Sequence, residues 1–275
     1  MKINIAKNSG FCFGVKRSIK IAQNTAAKRL NIYIKGDIVH NEAVCREIEE
    51  TGITRINSLQ LIPCQATLII KAHGEPLKTY AEAKERNITI VDATCPMVKD
   101  IHEKAKDLES RGYQVIVVGD KNHEETIGIL GSIKKGILLE KVNDVKKAAI
   151  KLKNKIAVIC QSTQSITNVA RVVAKLAEYV DEMLFINTIC QPTRLRQKEI
   201  QKLALASRAV LIVGSKKSAN TKRLYEEAKK INKNAFWLTS DIINRNKFKK
   251  FSSIGIIGGA STPPKTLENI ASKLK

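Results

Sequence analysis

Aromatic side chains are scarce in this chain of 275 residues: Phe, Trp and Tyr make up 4%, with a single Trp. That leaves little material for stacking nucleic-acid bases. No stretch approaches the roughly 18 consecutive apolar residues that a membrane helix needs. The N-terminus, MKINIAKNSG, has no apolar core of the kind a secretory signal carries. Acidic residues are few, 26 against 48 Lys and Arg, so the formal charge is +22. A charge of that size attracts nucleic acid, anionic surfaces or an acidic protein partner. The lysines are nevertheless scattered over what read as outer helix faces, as in KKAAIKLKNK (146–155) and YEEAKKINKN (225–234). The expectation is a cytoplasmic, monomeric protein with a solvated basic surface, no membrane segment and no specific nucleic-acid partner.

Clustered cysteines are also missing. The six present lie far apart, unlike those of zinc fingers or small ferredoxins. In a reducing compartment they are not read as disulfides. Cys45, Cys64 and Cys160 are expected to be small buried hydrophobes. Histidines number only 4, and His102, on a lysine-rich helix face, reads as surface.

What is present is a threefold echo. Cys12, Cys95 and Cys190 are each followed 28 positions later by a polar residue: His40 (12 + 28), His123 (95 + 28) and Ser218 (190 + 28). An apolar run ending in a small-polar turn also recurs, as LIIKAHG with His73, IAVICQST with Ser162 and Thr163, and IGIIGGAST with Ser261. The chain therefore reads as three related units, each offering one thiol to a shared centre.

Strand-like runs rich in Ile and Val occur at 3–6, 31–35, 67–72, 88–93, 113–119, 155–160, 208–214, 235–238 and 253–259. Amphipathic helical stretches lie between them at 15–30, 96–112, 193–207 and 220–231. The first of these puts Val15, Ile19, Ala22, Ala26 and Leu30 on one stripe. Apolar strands alternating with helices argue for α/β architecture with parallel sheets. The units are expected at 13–95, 96–189 and 190–275, with residues 1–12 supplying a strand to the third. Ligands of such sheets bind at the carboxyl ends of the strands, where His73, Cys95, Ser162, Ser218 and Ser261 fall.

Three thiolates near helix starts suit an iron–sulfur cluster better than a hard cation. A cubane cluster usually takes four cysteines, so one iron would stay open. A zinc site of three thiolates and a histidine is the alternative that these residues leave standing. His40, His73, His123, Ser218, Asn220 and Ser261 offer donors without fixed negative charge, as a diphosphate requires. Glu125, in a turn before an apolar helix, is placed to deliver protons, for which burial would have to keep its carboxyl protonated.

These residues sit in motifs that resemble the 4-hydroxy-3-methylbut-2-enyl diphosphate reductase (IspH/LytB) family. The motifs are FCFGV (11–15), VHN (39–41), AHGEP (72–76), DATCP (92–96), the His-x-Glu of NHEETIG (122–128), NTIC (187–190) with RQ (196–197), GSK (214–216) with S-x-N (218–220), and GAST (259–262). The resemblance implies three similar α/β domains with small parallel sheets in a pseudo-threefold cloverleaf around a central [4Fe–4S] cluster. It implies that Cys12, Cys95 and Cys190 are the three cluster ligands, leaving one open iron. It further implies diphosphate contacts from His40, His73, His123, Ser218, Asn220 and Ser261, Ser162 beside the substrate hydroxyl, and Glu125 as proton donor. The implied reaction reductively removes that hydroxyl, giving isopentenyl and dimethylallyl diphosphate. The implied electron donor is a reduced ferredoxin or flavodoxin.

Three positions depart from the family pattern. Ser162 stands where Thr is usual, Ala219 where a second phosphate-binding Ser is usual, and Glu124 where Pro is usual. The expectation is weaker diphosphate binding at Ala219 and a looser turn at Glu124.

Overall fold

The computed structural model describes residues 1–275. Strands and helices alternate almost throughout. The first part of the chain runs β1 (Lys2–Ile5), α1 (Phe13–Ala26), β2 (Ile32–Lys35), α2 (Glu42–Glu49), β3 (Ile53–Ile56), β4 (Thr67–Ile70), α3 (Leu77–Glu85) and β5 (Thr89–Asp92). It continues with α4 (Pro96–Ser110), β6 (Gln114–Val118), α5 (Glu124–Leu130), β7 (Gly136–Leu139), α6 (Val142–Ala148), β8 (Lys155–Cys160), α7 (Ile166–Leu176) and β9 (Glu182–Phe185). The last part is α8 (Gln191–Ala206), β10 (Ala209–Val213), α9 (Ala219–Ile231), β11 (Ala235–Leu238), β12 (Ser253–Gly258) and α10 (Pro264–Leu274).

The strands form three four-stranded sheets, ordered β3-β2-β4-β5, β7-β6-β8-β9 and β1-β12-β10-β11. Every pairing is parallel. By its contacts the chain divides into two compact units. One comprises Met1–Lys16, His40–Ala43 and Cys190–Lys275, and holds the sheet that contains β1. The other comprises Arg17–Val39 and Val44–Ile189, and holds the remaining two sheets.

The central strands are apolar along their whole length because both faces are covered. Successive residues of a strand point to opposite faces. In β8, Ile156, Val158 and Cys160 therefore pack with Val145, Val169, Val172 and Leu176 of α6 and α7. Ala157 and Ile159, between them, pack with Ile101, Ala105 and Leu108 of α4 and Ile129 of α5. β10 repeats the pattern: Leu211 and Val213 face Leu267 and Ile270 of α10, while Val210 and Ile212 face Ile200 and Ala204 of α8 and Leu224 and Ala228 of α9.

Nine of the strands fall where the apolar runs place them. β3, β7 and β9 were not expected, and all three are edge strands. β3 and β9 carry exposed polar positions, Thr54 and Arg55 in ITRI and Glu182 in EMLF, while β7 is a four-residue GILL that opens on an exposed glycine. α1 ends at Ala26, short of the expected 30, because the chain turns through a left-handed Asn31 into β2, which leaves Leu30 exposed. α4 starts with Pro96 at its first position, where a missing N–H costs nothing.

Candidate active site

In the unit built on β1, β12, β10 and β11, two cysteines cap helices. The Cys12 carbonyl accepts from Lys16 N at 3.0 Å, the first bond of α1, and that of Cys190 accepts from Arg194 N at 3.1 Å, opening α8. Cys12 N donates to the Ala260 carbonyl at 3.1 Å, tying this cap to the turn after β12. Behind both thiols lies Arg196, only 4% exposed. Its hydrogen bonds run to neutral carbonyls, Gly10 O at 2.6 Å and Pro192 O at 3.2 Å, and its buried Nε has no partner. Burial pulls this guanidinium below its ordinary range, and the nearby Cys12, Cys190 and Glu199 oppose that pull. A buried cation beside two thiols, with only Glu199 as a nearby carboxylate, fits an anionic centre held by those sulfurs. A cavity of about 310 Å³ opens beside Cys12, lined also by Lys7, Lys16 and Leu195.

The same unit carries two polar turns at strand ends. After β10, Ser218 caps α9, its hydroxyl accepting from Thr221 N at 3.3 Å. Asn220, 3% exposed, has neither amide atom partnered. A buried primary amide without partners costs stability unless a ligand satisfies it. After β12, Ser261 donates to the His40 carbonyl at 3.0 Å and accepts Asn41 Nδ2 on its own carbonyl at 2.8 Å. Ser218, Asn220, Ser261 and His40 all lie in this unit. Ala219 is buried at the first position of α9, and Lys217 reaches Glu42 at 3.6 Å.

The other unit holds Cys95, His73, His123, Glu125 and Ser162. Cys95 caps α4, and its N–H donates to Ala72 O at 3.0 Å, joining the DATCP turn to the AHG loop. His123 caps α5: its Nδ1 accepts from Glu125 N at 3.2 Å, so a neutral ring carries its proton on Nε2. The rings of His73 and His123 stand edge to face with centroids 5.6 Å apart. Glu125 lies inside the first turn of α5 rather than before it, and is 2% exposed. Ser162 grips both its oxygens, N–H to Oε1 at 2.5 Å and hydroxyl to Oε2 at 2.9 Å. Gln161 braces the same corner, accepting from Asp120 N at 2.8 Å and donating to Thr163 at 2.9 Å.

Several expectations need correcting here. Glu124 is engaged at its turn: Lys71 Nζ contacts its Oε1, and His73 Nδ1 lies 3.2 Å from its Oε2. Burial alone would raise the Glu124 carboxyl, but His73 and Lys71 outweigh it and hold the group well below the carboxylate range. Cys64 is exposed, whereas Cys45 and Cys160 are buried. Burial raises the Cys45 thiol and pushes that of Cys160 up to about 12.

His102 is half-buried rather than on the open surface. It fills the space left by two glycines: a Cβ on either Gly74 or Gly128 would lie 3.2 Å from its Cε1. Burial pulls its imidazole below the ordinary range, Lys106 adds to this, and Glu103 and Asp92 oppose it. A base kept neutral by folding gives stability that is complete above its unfolded pKa, about 6.5, and is lost as the pH falls below it. Thermal melts of wild type between pH 7 and 5 should show a falling Tm. The fall should be smaller in His102→Met, and parallel curves would refute this assignment.

Sequence reasoning named the RQ motif without a role for Arg196, and missed Lys71 and Gln161. Arg196 and Gln197 were detectable, because they share the buried stripe of α8 with Thr193, Ile200 and Ala204.

A profile described as LytB protein matches residues 3–275. The chain belongs to the LytB family. A LytB relative from Clostridioides difficile is 34% identical over 277 residues, spanning 100% of this chain and 99% of its own. Another, from Aquifex aeolicus, is 36% identical over 287 residues, spanning 99% and 96%. Both are named 4-hydroxy-3-methylbut-2-enyl diphosphate reductase. A solved structure of the reductase described as the terminal enzyme of the non-mevalonate pathway aligns with TM-score 0.73 at 34% identity, covering 100% of this chain and 99% of that one. The Plasmodium falciparum reductase aligns with TM-score 0.93 at 30% identity, covering 99% and 87%. This chain shares their α/β fold, with three small parallel sheets.

Proposed function

We propose that this LytB chain is a 4-hydroxy-3-methylbut-2-enyl diphosphate reductase. It removes the substrate's hydroxyl as water with two electrons and two protons, giving isopentenyl and dimethylallyl diphosphate. The observation that carries this reading is a match over residues 3–275 in which each of the three repeat cysteines caps a helix and none forms a disulfide. We read three α/β domains, 13–95, 96–189 and 190–275, with 1–12 joining the third; the division of strands among the three sheets supports this.

Cys12, Cys95 and Cys190 would hold a [4Fe–4S] cluster with one iron left open, and Arg196 offsets its negative charge. When bound, such a cluster supplies single electrons and an open iron site. His40, His73, His123, Ser218, Asn220 and Ser261 bind the diphosphate. His123 offers Nε2–H, and Asn220 gains the partners its buried amide lacks. Ser261 must turn its hydroxyl from the His40 carbonyl to the anion. Glu125 holds the proton that leaves with the substrate hydroxyl, and Ser162 keeps its carboxyl in place. A reduced ferredoxin or flavodoxin supplies the electrons. Such carriers are acidic, and Lys7 and Lys16 beside Cys12 suit them.

Anaerobic purification followed by iron and sulfide analysis, a visible spectrum and turnover with a reduced dye tests this reading. A brown protein that consumes the hydroxymethylbutenyl diphosphate is expected. A colourless protein with stoichiometric zinc would overturn it. Ala219→Ser adds a hydroxyl at the start of α9 and should lower KM by about tenfold, the worth of one hydrogen bond to an anion. An unchanged KM would mean that another donor, such as Lys216 or Lys217, already serves the same oxygen.

A further inference from the structure

Glu124 opens α5 directly before Glu125. Its carboxylate belongs to a chain of alternating charges whose most buried members are Lys71 and Glu75. Lys35 Nζ lies 3.0 Å from Glu75 Oε2, which also accepts from the Thr79 hydroxyl at 3.0 Å. Lys71 Nζ lies 3.3 Å from Glu75 Oε1 and contacts Glu124 Oε1. Glu124 Oε2 then reaches His73 Nδ1 at 3.2 Å. Lys71 and Glu75 are 4% and 5% exposed. An ammonium that deep is tolerated only between partners of opposite charge. The backbone makes room for the pair at Gly36, whose φ of +73° favours glycine. A Cβ there would lie 2.9 Å from Glu124 Oε1 and 3.0 Å from Lys71 Nζ.

We propose that Glu124 is a positioning residue for His73. Its carboxylate holds Nδ1, so the ring presents Nε2 to the diphosphate, and Lys71 fixes the carboxylate in turn. This rests on the reading of His73 as a diphosphate contact. An imidazole with one nitrogen on a carboxylate has its flip and tilt settled by that bond. Without it the ring turns about its Cβ–Cγ bond, and the nitrogen facing the anion is no longer specified. The perpendicular His123 ring borders it on another side but supplies no charge of opposite sign.

Three variants test this: E124Q, E124P and E124D. Proline suits the first position of a helix, so E124P removes the carboxylate and keeps the turn. Assayed with a reduced dye, E124Q and E124P should raise KM about tenfold with kcat within about twofold of wild type, and E124D should recover most of the loss. Iron content on the same preparations should stay near wild type, while Tm falls because buried Lys71 loses one of its two carboxylate partners; a merely structural role would lower iron content and kcat together with KM. Calorimetric titration with inorganic diphosphate gives a readout independent of turnover, and E124Q should weaken binding about tenfold. Unchanged KM and diphosphate affinity in E124Q and E124P would overturn the proposal. A wild type that binds diphosphate in a Glu124-dependent way but does not reduce the substrate would overturn the proposed function and leave this inference standing. A wild type that binds no diphosphate would overturn both.

Discussion

Glu125→Gln is expected to lower kcat by about 10²–10⁴-fold, the usual worth of a positioned general acid, while KM and iron content stay near wild type. Glutamine matches the carboxyl in shape, and its amide oxygen still accepts the Ser162 N–H that now reaches Oε1 at 2.5 Å. What it loses is a proton that can be given up. Glu125 is 2% exposed, so water does not readily replace it as a donor. The substrate's hydroxyl must depart as water, and C–O cleavage without that proton would expel hydroxide. Steady-state rates with a reduced dye, read beside iron content, check this. A kcat within tenfold of wild type would move the proton source elsewhere, with the Ser162 hydroxyl the nearest candidate.

Central strands were legible because burial on both faces leaves an unbroken Ile and Val signal, as in β8, whose bounds coincide with the run at 155–160. β3 and β9 were not, since Thr54, Arg55 and Glu182 interrupt their apolar runs, and β7 is only four residues beginning at Gly136. The helix-capping cysteines were legible from short-range signals, such as Pro96 after Cys95. The partners of Glu125 and Glu124 were not. Ser162 is 37 residues from Glu125, and Lys71 is 53 from Glu124. The pairing of β6 with β8 brings Ser162 to Glu125, whereas Lys71 and Glu124 follow strands of different sheets. His102 was misread for a related reason: its helix face is lysine-rich locally, but the space it fills is made by the missing side chains of Gly74 and Gly128.

Arg196→Met should reverse sign with cluster occupancy: it destabilises the iron-loaded protein and stabilises the protein stripped of iron. The stripped protein buries a guanidinium against neutral carbonyls of Gly10 and Pro192 and leaves its Nε unpartnered. Replacing a buried charged group by an apolar side chain of similar length adds up to about 1–4 kcal/mol of stability, toward the low end here because Glu199 partly compensates the charge. Once Cys12 and Cys190 are thiolates on a cluster, the same guanidinium faces negative charge at both neighbours, and its removal weakens the hold on the group. Arg196→Met should therefore lose iron faster to a chelator while its apo form melts several degrees above wild-type apo protein. Cys190→Ala should fail to retain a full complement of iron, whatever stands at 196. Adding Arg196→Met to Cys190→Ala should raise Tm without restoring iron, because the double variant removes the buried charge but not the missing ligand. Melting curves and iron titres of the four proteins, loaded and stripped, form a closed cycle. If Arg196→Met lowers the Tm of both forms alike, Arg196 is a packing residue, and the thiol pair has no need of its charge.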